Sequence, residues 1–391
     1  MKILNIQDLD LDHQAVLMRV DFNVPLDQNR QITDDTRIEA ALPTIQHVLD
    51  HGGSLILMSH LGRPKGVTPE LSLKPCADRL SKRIRRPVRL ATLDDDFSNL
   101  APGEVVLLEN LRFHEAEKKP EKDPGFVKKL ASLGHVYVND AFGTAHRKHA
   151  STYEVAKFFP GKAAAGLLMQ KEIEFLSSVI QDPKRPFYAI IGGAKISSKI
   201  GVVSALIDKV DGLFICGAMA HTFLKAKGID IGDSLYEPEA LDQAQGIIDQ
   251  CENKQTFLGL PLDEAVVETV EPGAPTRMID FDKEGISPGW KGVDIGPKTL
   301  DLYTAKLSDA KTILWNGPAG VFEVPDFATG TEAIAKLLAS LIATTIVGGG
   351  DSVAALKMLG LTDQMSHIST GGGASLELIE KGTLPGIELL S

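Results

Sequence analysis

The chain has 391 residues, 43% hydrophobic and 24% charged, with a formal net charge of -11. That balance excludes a disordered or fibrous chain, predicts two or three globular domains at roughly 100 to 200 residues each, and argues against nucleic acid as a partner. No stretch nears the roughly 20 uncharged apolar residues of a membrane span, Asp8, Asp10 and Asp12 fall where a signal peptide is apolar, and three distant cysteines spell neither a disulfide framework nor a zinc site, so a cytoplasmic protein with no membrane partner is expected.

Short β-branched or aliphatic runs predict strands, and apolar residues at helical spacing predict helices. In chain order these are a strand at 15–20, a helix at 37–50, a strand at 54–58, a helix at 74–86, a strand at 105–108, a helix at 126–133 and a strand at 135–138. A helix at 167–180 follows the alanine-rich segment 163–166, and its length suits a rigid connector between domains. Beyond it come a strand at 187–191, a helix at 198–210, a strand at 213–216, helices at 238–250 and 299–308, a strand at 312–315, a helix at 329–340, a strand at 344–347, a helix at 352–359 and a strand at 367–369. The alternation predicts an α/β fold with parallel sheets, whose ligands bind at the carboxyl ends of the strands. Residues 384–391 form a short apolar tail able to dock on either domain.

Charge is divided unevenly. Residues 1–170 hold eleven of the thirteen arginines and eight of the ten histidines, whereas residues 171–391 hold 26 of the 36 glycines and a net charge of -12. Arginine captures carboxylate and phosphate, while glycine lets backbone amides approach phosphates, so the halves predict two anionic ligands. The first-half strand exits carry Asp21, Phe22 and Asn23, then His60, Leu61, Gly62 and Arg63, then Arg112, then Arg147, and Arg37 opens the first long helix. Four arginines brought together without an anion would repel one another, which favours one shared site for Arg37, Arg63, Arg112 and Arg147. Arg79, Arg83, Arg85, Arg86 and Arg89 read instead as a solvated helix face.

In the second half, Gly192-Gly193-Ala194-Lys195 leads to Lys199, a turn able to hold phosphates although it is no Walker A loop. Triple glycines follow at 348–350, before Asp351 and Ser352, and at 371–373, which includes Gly372. Because each glycine costs backbone entropy, close approach of Gly349, Gly350 and Gly372 to a phosphate chain is the better account. Asp351 is a candidate helix cap or magnesium ligand. Asn316 and Glu323 flank another glycine-rich strand exit, and Glu323 could accept a ribose hydroxyl. The chain has no G-x-S-x-G elbow and no H-E-x-x-H zinc motif, so serine and metal-water hydrolases lack their residues.

The segments RVDFNVP, DTRIEAALPTI, SHLGRPKG, LENLRFH, VNDAFGTAHRKHAS, IGGAKISSKI, GAMAHTFL, DIGPKT, LWNGPAGVFE, GGGDS and STGGGASLELIE together resemble the phosphoglycerate kinase family over essentially the whole chain. The resemblance implies two doubly wound, Rossmann-like domains joined by a hinge helix, residues 1–170 binding phosphoglycerate and 171–375 binding nucleotide, with a tail from about 376 to 391 docked on the first. It implies a monomeric cytoplasmic kinase, EC 2.7.2.3, that moves a phosphoryl group between 1,3-bisphosphoglycerate with ADP and 3-phosphoglycerate with Mg-ATP. It places Asp21, Phe22, Asn23, Arg37, His60, Leu61, Gly62, Arg63, Arg112 and Arg147 on phosphoglycerate. Gly193, Ala194, Lys195, Lys199, Asn316, Glu323, Gly349, Gly350, Asp351 and Ser352 go to the nucleotide, with magnesium at Asp351. Arg37, Lys195 and the amides of Gly349 and Gly372 stabilise the transferring phosphoryl. Ser198 stands where the family more often has aspartate. A two-lobed anion-binding protein is the competing reading, and the Lys195 turn with the second triple glycine argues against it. A dehydrogenase lacks its dinucleotide turn.

Overall fold

Strands too short and too apolar for surface helices build the first sheet. In the computed structural model, which describes residues 3–391, β1 (Ala15–Arg19), β2 (Ser54–Met58), β3 (Val88–Ala91), β4 (Val105–Leu108), β5 (Val136–Asn139) and β6 (Ala163–Ala165) form a parallel sheet in the order β3-β4-β2-β1-β5-β6. β2 and β4 are buried at every position, which is why they read as unbroken aliphatic runs. The helices Thr36–Asp50 and Lys74–Ile84 bury Ile38, Ile45, Ala77 and Leu80 against Val16, Leu55, Leu57 and Leu107. β3 and β6 escaped the sequence pattern for local reasons. β3 is a partly exposed edge inside the arginine-rich stretch, and β6 is three alanines, a residue with little strand preference.

A second parallel sheet has the order β15-β14-β13-β7-β8-β9, where β7 is Phe187–Ile191, β8 Gly212–Ile215 and β9 Phe257–Gly259. Between its halves the chain inserts an antiparallel sheet that the alternation does not announce, of β10 (Asp263–Val267), β11 (Arg277–Asp280) and β12 (Lys291–Ile295), in the order β11-β10-β12. The main sheet then completes with β13 (Thr312–Asn316), β14 (Thr344–Gly348) and β15 (His367–Ile368). Tyr303, Trp315, Ile334 and Leu338 pack against Ile190 and Val347 in its core. Helices Met219–Ala226 and Gly372–Lys381 also lay outside the sequence reading, because glycine or polar residues interrupt their apolar pattern.

The chain divides into two compact units, one running up to Glu174 and resuming at Lys381–Ser391, the other Phe175–Glu380. The helix Leu167–Gln181 carries the chain from one to the other. The C-terminal tail belongs to the first unit through direct bonds. Leu4 N–H donates to Leu390 O (3.1 Å), Gly161 N–H to Ser391 O (3.0 Å), and Gly386 N–H to Ala145 O (2.7 Å). In both sheets the strand order reverses direction between two central strands, β1 and β5 in the first and β7 and β13 in the second. Crevices form at such reversals, outside the carboxyl ends of the strands.

Candidate active site

In the first unit, the crevice after β1 is built by reciprocal bonds among its loops. Asn23 Oδ1 accepts from Gly62 N–H (2.8 Å), Asn23 O accepts from Arg37 Nη1 (2.9 Å), and Asp21 Oδ2 lies 3.3 Å from Arg37. Phe22 is fully buried, and its N–H donates to Ser59 Oγ (2.8 Å). Asn110, also fully buried, ties three loops at once. Its Oδ1 accepts from Leu61 N–H (3.2 Å) and Arg112 N–H (3.1 Å), and its Nδ2 donates to Leu61 O and Leu71 O (2.8 Å each). Gly62 takes a positive φ of 63°, which places its carbonyl to accept from Arg112 Nη1 at 2.7 Å.

Around this frame the cations converge. Arg112 is buried with its Nε unpaired among the described residues. Burial, then the charges of Arg147 and Arg19, bring its guanidinium down to about 10. His60 is buried too, and burial followed by Arg19, Arg112, Arg147 and Arg37 holds its imidazole well below the usual histidine range. His149 falls to about 3 for the same reasons, burial first and then Arg112, Arg147 and Arg19. A crevice whose burial and cations depress Arg112, His60 and His149 together is poised for an anion. Arg37, Arg112 and Arg147 are thus gathered about His60, whereas Arg63 is exposed and has no hydrogen-bond partner among the described residues. Arg79 and Arg83 are structural. Both donate to Asp35 Oδ2, at 2.6 and 2.7 Å, and so pin the helix that Arg37 opens.

The sequence reading missed Arg19. It ends β1, is wholly buried, and contacts His60 Nδ1 at 3.0 Å. A basic residue at the end of a buried aliphatic run was its one visible signal.

In the second unit, the crevice lies between β7 and β13. Lys199 Nζ donates to Gly192 O, to Asn316 Oδ1 (3.0 Å) and to Asn316 O (3.3 Å), and burial lowers its pKa. Ser352 Oγ accepts from Gly317 N–H (2.7 Å), so the turn after β14 is fastened to the turn after β13. At Gly317 and Gly372 these turns leave no room for a side chain. A Cβ on Gly317 would stand 2.2 Å from Gly192 O, and one on Gly372 would stand 2.5 Å from Gly349 N. Gly372 is therefore demanded by the protein's own backbone, while Gly350 and Gly373 face open space. This corrects the purely ligand-based account of the triple glycines.

The adjoining cleft has a volume of about 250 Å³, and its lining includes Gly193, Ala194, Glu323, Asp351, His221, Leu235, Glu264 and Asp294. Burial raises the Asp294 carboxyl to about 7, against the pull of the Gly330 and Ile295 N–H groups it accepts from. Lys195 is exposed, and the helix expected over 198–210 runs from Ile200 to Ile207. Glu237 takes both the N–H and the hydroxyl of Ser197 (2.9 and 2.5 Å), which holds that stretch as a turn.

The Phosphoglycerate kinase family pattern matches residues 6–382. The chain belongs to the phosphoglycerate kinase family. It is 51% identical to the phosphoglycerate kinase of Dictyoglomus turgidum over 99% of this chain and 98% of that one. It is 50% identical to the cytosolic phosphoglycerate kinase 3 of Arabidopsis thaliana over 98% and 96%. The structure of phosphoglycerate kinase from Coxiella burnetii superposes with a TM-score of 0.89 at 41% identity, covering 100% of this chain and 99% of that one. The enzyme from Pyrococcus horikoshii gives 0.85 at 31% identity, over 99% and 98%. The chain is accordingly an enzyme, a phosphotransferase acting between phosphoglycerate and a nucleotide, on two doubly wound α/β units.

Proposed function

We propose that the first unit holds the phosphoglycerate and the second the nucleotide, and that the two units close on their ligands for transfer. The supporting observation is that each unit builds its own anion crevice at the reversal point of its sheet, one walled by guanidiniums and one by glycine turns and Lys199. In the ADP-phosphorylating direction a terminal phosphate oxygen of ADP attacks the acyl phosphorus, the acyl C–O–P link breaks, and a carboxylate leaves. The attacking oxygen is already anionic, so no general base is needed. A loose phosphoryl transition state asks for alignment and neutralisation of its equatorial oxygens. Arg37, opening its helix from the first unit, and Lys195, on the turn after β7, supply charge, and the amides of Gly349 and Gly372 supply donors. Asp21, Phe22, Asn23, His60, Leu61, Gly62, Arg63, Arg112 and Arg147 position the acid. Gly193, Ala194, Lys199, Asn316, Glu323, Gly350 and Ser352 position the nucleotide.

Asp351 fits a magnesium ion that travels with the phosphates. It is exposed in the first turn of the helix Gly350–Met358 and borders the cleft, and among the described residues no three acidic, histidine or cysteine groups could hold an ion alone. A lone carboxylate suits a cation that draws its remaining oxygens from phosphates and water. Bound there, magnesium would neutralise phosphate charge. We further propose a cytoplasmic monomer. No helix among the described residues is long and apolar enough to cross a membrane.

Coupled turnover with 3-phosphoglycerate, ATP and magnesium tests the reading. Folded Lys195→Ala and Arg37→Ala variants are expected to fall by at least about a hundredfold in kcat. A folded parent without turnover would overturn it and leave a two-lobed anion binder.

A further inference from the structure

Arg19 has no place in the scheme so far, yet its bonds have directions that chemistry fixes. A guanidinium only donates and an ionised carboxylate only accepts. Arg19 Nη2 lies 3.0 Å from His60 Nδ1, so that ring nitrogen presents its lone pair, and the ring proton is on Nε2. Arg19 Nη1 donates to Val20 O, and Nε donates to Ser151 Oγ at 2.8 Å. Ser151 can accept because its own hydroxyl proton goes to Glu117 Oε1 (2.7 Å), while its N–H donates to Glu117 Oε2 (3.1 Å). Tyr137 O–H donates to Ser151 O at 2.8 Å and fixes the backbone there. Arg19, Ser151 and Glu117 are all fully buried. Because a guanidinium cannot accept, the His60 end of this alignment admits one arrangement.

We propose that Arg19, anchored through Ser151 on Glu117, locks His60 as a neutral imidazole that donates from Nε2 to an oxygen of the bound acid. Arg19, Ser151 and Glu117 are positioning residues, and the inference rests on the substrate reading above. The charges that act most strongly on His60 are cations, Arg19 from β1, Arg112 from the turn Leu111–Phe113, Arg147 from the loop after β5 and Arg37 from its helix, with Asp21 paired to Arg37. His149 Nδ1 is 3.8 Å from Glu117 Oε1, and Glu117 in turn feels the charges of Arg19 and Arg112. A protonated His60 would set N–H against N–H at Arg19 and add one more positive charge. The neutral tautomer gives a directional donor without that repulsion.

Nitrogen NMR of the full chain labelled in histidine tests the lock, with His60→Gln identifying the signal. The expected spectrum has the proton on Nε2 and a bare Nδ1, unchanged from about pH 5.5 to 8, where an ordinary histidine titrates. Ser151→Ala cuts the anchor. His60 should then show mixed tautomers, and KM for 3-phosphoglycerate should rise about tenfold while kcat stays within about twofold. Glu117→Gln, which keeps the side-chain shape, should move both readouts the same way and serves if Ser151→Ala does not fold. A parent His60 protonated on Nδ1, or on both nitrogens near pH 7, overturns the proposal, as does a folded Ser151→Ala variant with the parent's spectrum and KM. A parent that fails to use 3-phosphoglycerate overturns the substrate reading instead, and the spectrum still decides the lock.

Discussion

At the scale of single residues, the second unit carries a polar commitment beside its cleft. His221 Nε2 lies 2.9 Å from Glu264 Oε2 and Nδ1 lies 3.0 Å from Leu235 O, with both side chains buried. Burial alone would lower the histidine, but the carboxylate beside it raises it above its ordinary value. Removing one member of such a pair leaves the other charge buried and unpaired, which is worse than never having had the pair. His221→Ala is expected to cost about 3 kcal/mol. Replacing both residues by apolar ones, His221→Phe with Glu264→Val, should recover most of that, as urea unfolding would measure. A double variant less stable than His221→Ala would contradict the pair's electrostatic account. The cradle that receives the pair is legible only in three dimensions. A Cβ on Gly292 would fall 2.2 Å from Glu264 Oε2, yet Gly292 has nothing distinctive in the sequence.

At the scale of elements, β2, β4 and β7 were readable to the residue because strands buried on both faces must be apolar without interruption. The arginines at the strand exits and the glycine turns were readable as residue types, since both break those runs abruptly. Arg19, Ser151 and Glu117 were not, because their meaning lies in partners as many as 132 positions apart. One element couples chemistry to acidity. Asp140, just after β5, is fully buried and receives the Leu168 and Met169 N–H groups on Oδ1 (3.0 and 3.1 Å), capping the helix Leu167–Gln181, while Oδ2 has no hydrogen-bond partner among the described residues. Burial raises its carboxyl to about 6, opposed by Thr44 and the two amides. Since the folded group binds its proton more tightly than an unfolded aspartate near 3.9, its contribution is fully present below about pH 4 and is lost as pH rises through about 6. Asp140→Asn, which cannot ionise, should flatten the change in melting temperature between about pH 4 and 7. An unchanged slope would sink this account.

At the scale of the whole molecule, the proposed transfer requires two ligands held by separate units to be brought within bonding distance and shielded from water for a phosphoryl group to pass without hydrolysis. The radius of gyration in solution scattering is therefore expected to fall when 3-phosphoglycerate and a magnesium nucleotide are added together, and to stay closer to the free value with either alone. Identical profiles with and without both ligands would refute closure. The docked tail bears on a different matter, the order in which the chain is made. The first unit draws bonds for Leu4, Ala145 and Gly161 from the last six residues, and Asn139 Nδ2 also donates to Gly386 O (3.1 Å). Ala145 lies two positions before Arg147. On the ribosome, the domain synthesised first thus waits through the whole of the second before its own edge can close, and the loop bearing Arg147 gains its last support only after residues 386–391 have been made and have emerged.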